Sequence, residues 1–138
     1  MEQKDYILRE IEKMGMVLRA ILNKFMGNTD NPAIQIEKQF EETKEMLYSN
    51  LDFDLEKFIA QNEKQSVDYI SSFKGINIEN LEILAEVLMR MGLQEKSGNR
   101  KSYLEKALQL LEYCKQKDKT YSFERERKIE EISELLNK

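Results

Sequence analysis

Apolar residues recur at intervals of three and four through almost every segment of this chain, and that period limits it to packed amphipathic helices. The clearest early run is Leu8, Ile11, Leu18, Leu22 and Phe25, with Ile7, Met14 and Ile21 beside them. It predicts one helix over 5–25, continuous through Gly15, whose missing side chain admits a neighbouring helix. A second helix is expected from Pro32, with Asn31 as its cap and Ile34, Ile36, Phe40, Thr43 and Leu47 as its stripe. Two short helices divided near Asn62 fit 51–74, and Gly75 is expected to end the second as a left-handed cap. Asn77 then caps a helix carrying Leu81, Leu84, Ala85, Leu88 and Met91, which Gly92 closes. Tyr103, Leu104, Ala107, Leu108, Leu111 and Cys114 form the facing stripe of an antiparallel partner, with Leu108 placed in the shared core. Ser122 caps a last helix with Ile129, Ile132, Leu135 and Leu136.

Composition agrees with that period. Among 138 residues 35% are charged, Gly occurs five times and Pro once, a balance suited to solvated helices rather than strands and turns. The fold class expected is all-α: a bundle of about seven helices in a single domain over 1–138, with N-terminal helices over 1–75 and the remainder over 76–138. Cys114 has no partner for a disulfide, so a reducing compartment is expected. The first residues lack a basic region followed by an apolar run, and no apolar stretch approaches the ~20 residues of a membrane span. A cytoplasmic protein is expected.

The helix pair from Leu81 to Cys114 resembles a tetratricopeptide hairpin: Leu84-Ala85, Leu88 and Gly92 are similar to its first helix and turn, and Tyr103, Ala107 and Leu108 to its second. The fold expected is therefore a bundle with tetratricopeptide-like hairpins in its C-terminal half. Asp5-Tyr6-Ile7-Leu8-Arg9 with Ile11-Glu12, Leu84-Ala85, and Lys119-Thr120-Tyr121-Ser122-Phe123 together resemble a family of small bacterial helical proteins of unknown function. That resemblance implies an all-helical fold and supplies no activity, cofactor or catalytic residue.

The chain contains no histidine, which removes the commonest general base and the commonest transition-metal ligand. No catalytic, cofactor-binding or metal-binding residue is assigned, and the protein is expected not to be an enzyme. Cys114 lies on an apolar stripe and reads as a small buried hydrophobe. The acidic groups Glu41-Glu42-Glu45, Asp52-Asp54-Glu56 and Glu130-Glu131-Glu134 read as solvated helix faces, without the Glu-x-x-His pairs of a di-metal bundle or the glycine of a calcium loop. None of the glycines belongs to a phosphate-binding motif.

Charge is the one uneven feature. The formal charge is -7 over 1–95, +5 over 96–128 and -2 over 129–138. Arg100, Lys101, Lys115, Lys117, Lys119, Arg125, Arg127 and Lys128 lie near the ends of the last helices, where they would converge on one rim and attract an acidic partner protein. The alternative is that this block neutralises the chain's own acidic first half. The leading expectation is a non-enzymatic protein–protein interaction module, with a homodimer through the broad stripe of the first helix as one form of it. The alternative function is a regulator contacting nucleic acid through 96–128, with Asn77–Gly92 imitating part of a helix-turn-helix. The overall charge of -4 and the acids Glu79, Glu82 and Glu86 on that helix argue against it.

Overall fold

The computed structural model describes the backbone of residues 2–27, 32–94 and 98–137 and the side chains of 4–25, 37–94 and 98–137. Within them lie seven helices: α1 (Glu2–Gly27), α2 (Pro32–Leu51), α3 (Leu55–Ala60), α4 (Glu63–Ser71), α5 (Ile78–Gln94), α6 (Arg100–Lys117) and α7 (Phe123–Leu136). Among the described residues there is no strand, so the protein is all-helical. The expected cap Asn31 and the side chains of Ile34 and Ile36 lie outside the described residues. The chain divides into two units, Met1–Ile76 and Asn77–Lys138.

In the first unit α1 passes through Gly15 without a break and buries Met14, Leu18, Ile21 and Phe25 at spacings of four and three. Its opening turns leave Tyr6, Ile7 and Leu8 exposed. Helix α2 packs against α1 and buries Phe40, Thr43 and Leu47, while Gln39 Nε2 donates to the Lys24 carbonyl at 2.9 Å. The chain reverses after α2 at Asp52, whose φ of 59° is left-handed, and Phe53 N donates back to the Leu47 carbonyl. Asp54 caps α3 by accepting from Lys57 N, and Asn62 and Gln65 cap α4 reciprocally. The division expected near Asn62 is thus a capping box.

The turn from α2 into α3 is fastened by an aromatic cluster. The Phe53 ring lies 5.3–5.4 Å from those of Phe58, Tyr69 and Phe73, and the Tyr69 hydroxyl accepts from Asp54 N at 2.9 Å. Gly75 is not the left-handed cap expected of it; α4 ends earlier, at Ser71, and Gly98 is the positive-φ glycine among the described residues. Its role is steric, since a Cβ at position 75 would stand 2.6 Å from the Glu10 carbonyl oxygen on α1.

In the second unit Asn77 caps α5 by accepting from Asn80 N at 2.8 Å, as expected. Leu81, Leu84, Ala85, Val87, Leu88 and Met91 are buried along it, each full-sized aliphatic side chain contributing roughly 1.5–3 kcal/mol by its removal from water. The facing stripe of α6 is Tyr103, Leu104, Ala107, Leu110, Leu111 and Cys114. Leu108 is half-buried, against expectation: one residue past Ala107 lies ~100° around the helix, whereas Leu110 and Leu111 return to the α5 face. Gly92 does not close α5, which continues to Gln94. A Cβ there would come within 3.1 Å of the Tyr103 Cβ and 3.2 Å of Leu104, so the missing side chain is what lets α6 approach. Ser122 caps α7 through the Arg125 amide, and Ile129 and Ile132 are its buried apolar residues.

Candidate functional site

The spacing of the second unit's charges does not reveal the pairing of Lys115, Arg125 and Lys128, because their partners lie on other elements of the chain. Arg125 is the third residue of α7 and only 5% exposed. Its Nε donates to Glu82 Oε2 on α5 at 2.7 Å and its Nη2 to Asp118 Oδ2, just past α6, at 2.6 Å. These are short charge-assisted bonds. Burial works against the guanidinium charge, yet the hydrogen bonds and charges of Glu82 and Asp118 outweigh it and raise the Arg125 pKa. The Asp118 carboxyl is held below its ordinary range by the bond it accepts from Thr120 N and then by Arg125. One turn along, Lys128 Nζ lies 3.1 Å from Glu86, which also faces Arg90. Lys115 is paired with Glu126 at 3.1 Å, and the hydrogen bond to that carboxylate raises the ammonium pKa.

Cys114 sits on the sealed side of this network. Its side chain has no exposure, its thiol points to the Ile78 carbonyl at 3.8 Å, and burial followed by the Glu82 charge pushes its pKa up to about 12. A thiol so placed is a poor nucleophile at neutral pH.

The eight basic residues expected on one rim are therefore not one surface. Arg100 and Lys101 open α6, about 22 Å along its axis from Lys115 near its other end. Lys101 pairs with Glu105 in the same helix. Arg125 is buried and committed to carboxylates of its own unit, and Lys115 and Lys128 are ion-paired. From Asn77 to Lys138 there are twelve basic and twelve acidic residues, so the basic excess is neutralised within the second unit, by Glu82, Glu86, Asp118 and Glu126 in particular.

What remains at the α6–α7 end is a smaller surface. Lys117, Lys119 and Arg127 are exposed and, among the described residues, have no carboxylate within ion-pair distance; Lys117 Nζ lies over the Tyr113 ring at 5.7 Å. Close in sequence to Lys119 and Arg127 stand Tyr121, 66% exposed, and Phe123, 82% exposed, their rings edge to face with centroids 5.1 Å apart. Phe123 and Arg127, four apart on α7, share one helix face. This aromatic pair has no role in ending or starting a helix. Ser122 supplies the cap, and the residue Tyr121 would meet in a hydrophobic staple is the charged Glu126. In the sequence Tyr121 and Phe123 stand out only within the run that resembles the helical family. The signal available was two aromatics flanking a cap serine, off the stripe that begins at Ile129.

The first unit carries a cleft of about 370 Å³ bordered by Glu10, Lys13, Asn50, Asp52 and Lys74. Its charged side chains are exposed or half-buried, and Lys74 Nζ is turned over the Tyr6 ring at 5.0 Å. Among the described residues no group of three or more Cys, Asp or Glu side chains is arranged to hold a metal ion, and no helix is long and apolar enough to cross a membrane. The chain is an all-helical protein; comparison with protein families, with curated proteins and with solved structures found no match.

Proposed function

We propose that this chain is a non-enzymatic protein–protein interaction module of the cytoplasm, with a tetratricopeptide-like hairpin in α5 and α6 as the platform of its binding surface. The observation that carries this reading is the pair Tyr121 and Phe123, two large aromatics left in water where the second helix of that hairpin turns into α7. A Phe with 82% of its surface exposed adds little to the folded chain beyond its edge contact with Tyr121, and aromatic side chains are the residues that most often anchor protein interfaces. The close approach of α6 to Gly92 supports the tetratricopeptide-like reading of the hairpin, since such repeats also rely on small residues between paired helices.

The test is cross-linking of the intact protein in its native cell, followed by isolation with and without nuclease. A defined protein recovered in proportion to the bait, unaffected by nuclease, supports the module. Recovery of nucleic acid instead, together with binding to random DNA that weakens as salt rises, would replace it with the regulator that uses 96–128.

A further inference from the structure

We infer that the ridge formed by Tyr121 and Phe123, with Lys119 and Arg127 beside it, is a docking site for an acidic segment of another protein that carries aliphatic side chains between its carboxylates. The inference rests on the interaction-module reading and names the chemistry of the partner.

Three observations select that occupant. The rings meet at 89°, which makes a projecting apolar edge that fits between aliphatic side chains rather than a flat platform on which bases would stack. The cations beside the ridge are the ones left over once Lys115, Arg125 and Lys128 have been taken by Glu126, Glu82, Asp118 and Glu86, so their charge is available to a partner's carboxylates. There are too few of them for a phosphate backbone. Glu124 is exposed next to Phe123, Glu130 and Glu131 follow on α7, and the unit as a whole is neutral, an arrangement that repels a continuous polyanion while tolerating a short acidic segment.

The experiment is chemical-shift mapping on the full chain with three probes at up to millimolar concentration: a short synthetic peptide of Glu and Leu, its counterpart with Lys in place of Glu, and single-stranded polyuridylate. The acidic peptide is expected to shift resonances of Tyr121, Phe123, Lys119 and Arg127, and to bind more weakly as salt is raised. Phe123→Ser and the double variant Lys119→Glu with Arg127→Glu should each lower its affinity about tenfold or more. These positions are exposed, so both variants should keep the parent's circular dichroism and melting temperature. The site is overturned if the acidic peptide causes no shifts, if the Lys peptide binds as well, if the variants bind unchanged, or if polyuridylate shifts the same resonances more strongly. A failure here, with a nuclease-resistant protein partner still recovered by cross-linking, removes this site and leaves the module. Failure of the cross-linking alone removes the module.

Discussion

Replacing Arg125 by Met tests whether the buried ion network, rather than apolar contact alone, fastens α7. Met keeps much of the arginine stem's packing and removes only the fork. In the parent, that fork makes bonds of 2.7 Å to Glu82 and 2.6 Å to Asp118 with its own side chain 4% exposed. Taking one partner from a buried pair costs about 3–5 kcal/mol when the other charge is stranded. Here the stranded carboxylates are partly wet, Glu82 30% and Asp118 24% exposed, so water recovers part of the loss and about 2–3 kcal/mol is expected. Urea denaturation followed by circular dichroism at pH 7 measures it. The sign of the pH dependence gives a second check. The Asp118 pKa is depressed in the folded chain, so its contribution is present above the ordinary carboxylate range and lost as pH falls through the depressed value. The gap between Arg125→Met and the parent should therefore narrow below about pH 4. A difference under about 0.5 kcal/mol at neutral pH, the size expected of an ordinary surface substitution, would refute the reasoning, as would a gap that persists unchanged in acid.

Cys114 is expected to react with thiol reagents slowly in the native protein and quickly in denaturant. Because its folded pKa of about 12 exceeds the ordinary 9.0, the protonated folded form is favoured; stability should be intact below pH 9 and fall by on the order of a few kcal/mol toward pH 12, and Cys114→Ala should lose that part of the alkaline decline. Leu110→Ala should cost about 2–5 kcal/mol and Leu108→Ala distinctly less, and equal denaturation midpoints for the two would reverse the register given to α6. Gly75→Ala should destabilise by about 1–3 kcal/mol because its Cβ meets the Glu10 backbone, which a wild-type melting temperature would contradict. Analytical ultracentrifugation tests a dimer through α1: a species of twice 16.4 kDa that dissociates in Leu8→Glu supports it, and a single species at the chain mass rules it out. Leu18 is unsuitable for that test because it is buried.

Local signals in the sequence located most of the helix boundaries. Asn62, Asn77 and Ser122 each carry a side-chain acceptor beside an apolar run, and each caps the helix that follows. Two glycines differ from their expected role as caps for one reason. Gly75 and Gly92 stand near helix ends, where a left-handed conformation is common, but what they supply is room for another segment, and room depends on a neighbour remote in sequence. The exchange of Leu108 for Leu110 has a related cause: Tyr103, Leu104, Ala107, Leu108 and Leu111 fit helical spacing as well as the observed stripe does, and only the position of α5 separates them. The charges were least legible. Arg125 pairs with Glu82 across 43 residues of sequence, so a count by segment recorded an excess that the fold cancels.

Arg125 and Lys128 are three residues apart on α7, while the carboxylates they meet, Glu82 and Glu86, are four apart on α5, and both pairs ascend in the same direction. The two pairs follow the same order along both helices, like a lock with two teeth. Apolar stripes alone tolerate sliding, since one aliphatic side chain replaces another a turn away at small cost. If α7 slid one turn toward the end of α5, Arg125 would reach Glu86 but leave Glu82 without its guanidinium and draw away from Asp118. The ionic teeth thus penalise that shifted register and favour the observed one, which also sets where Phe123 and Arg127 stand on α7.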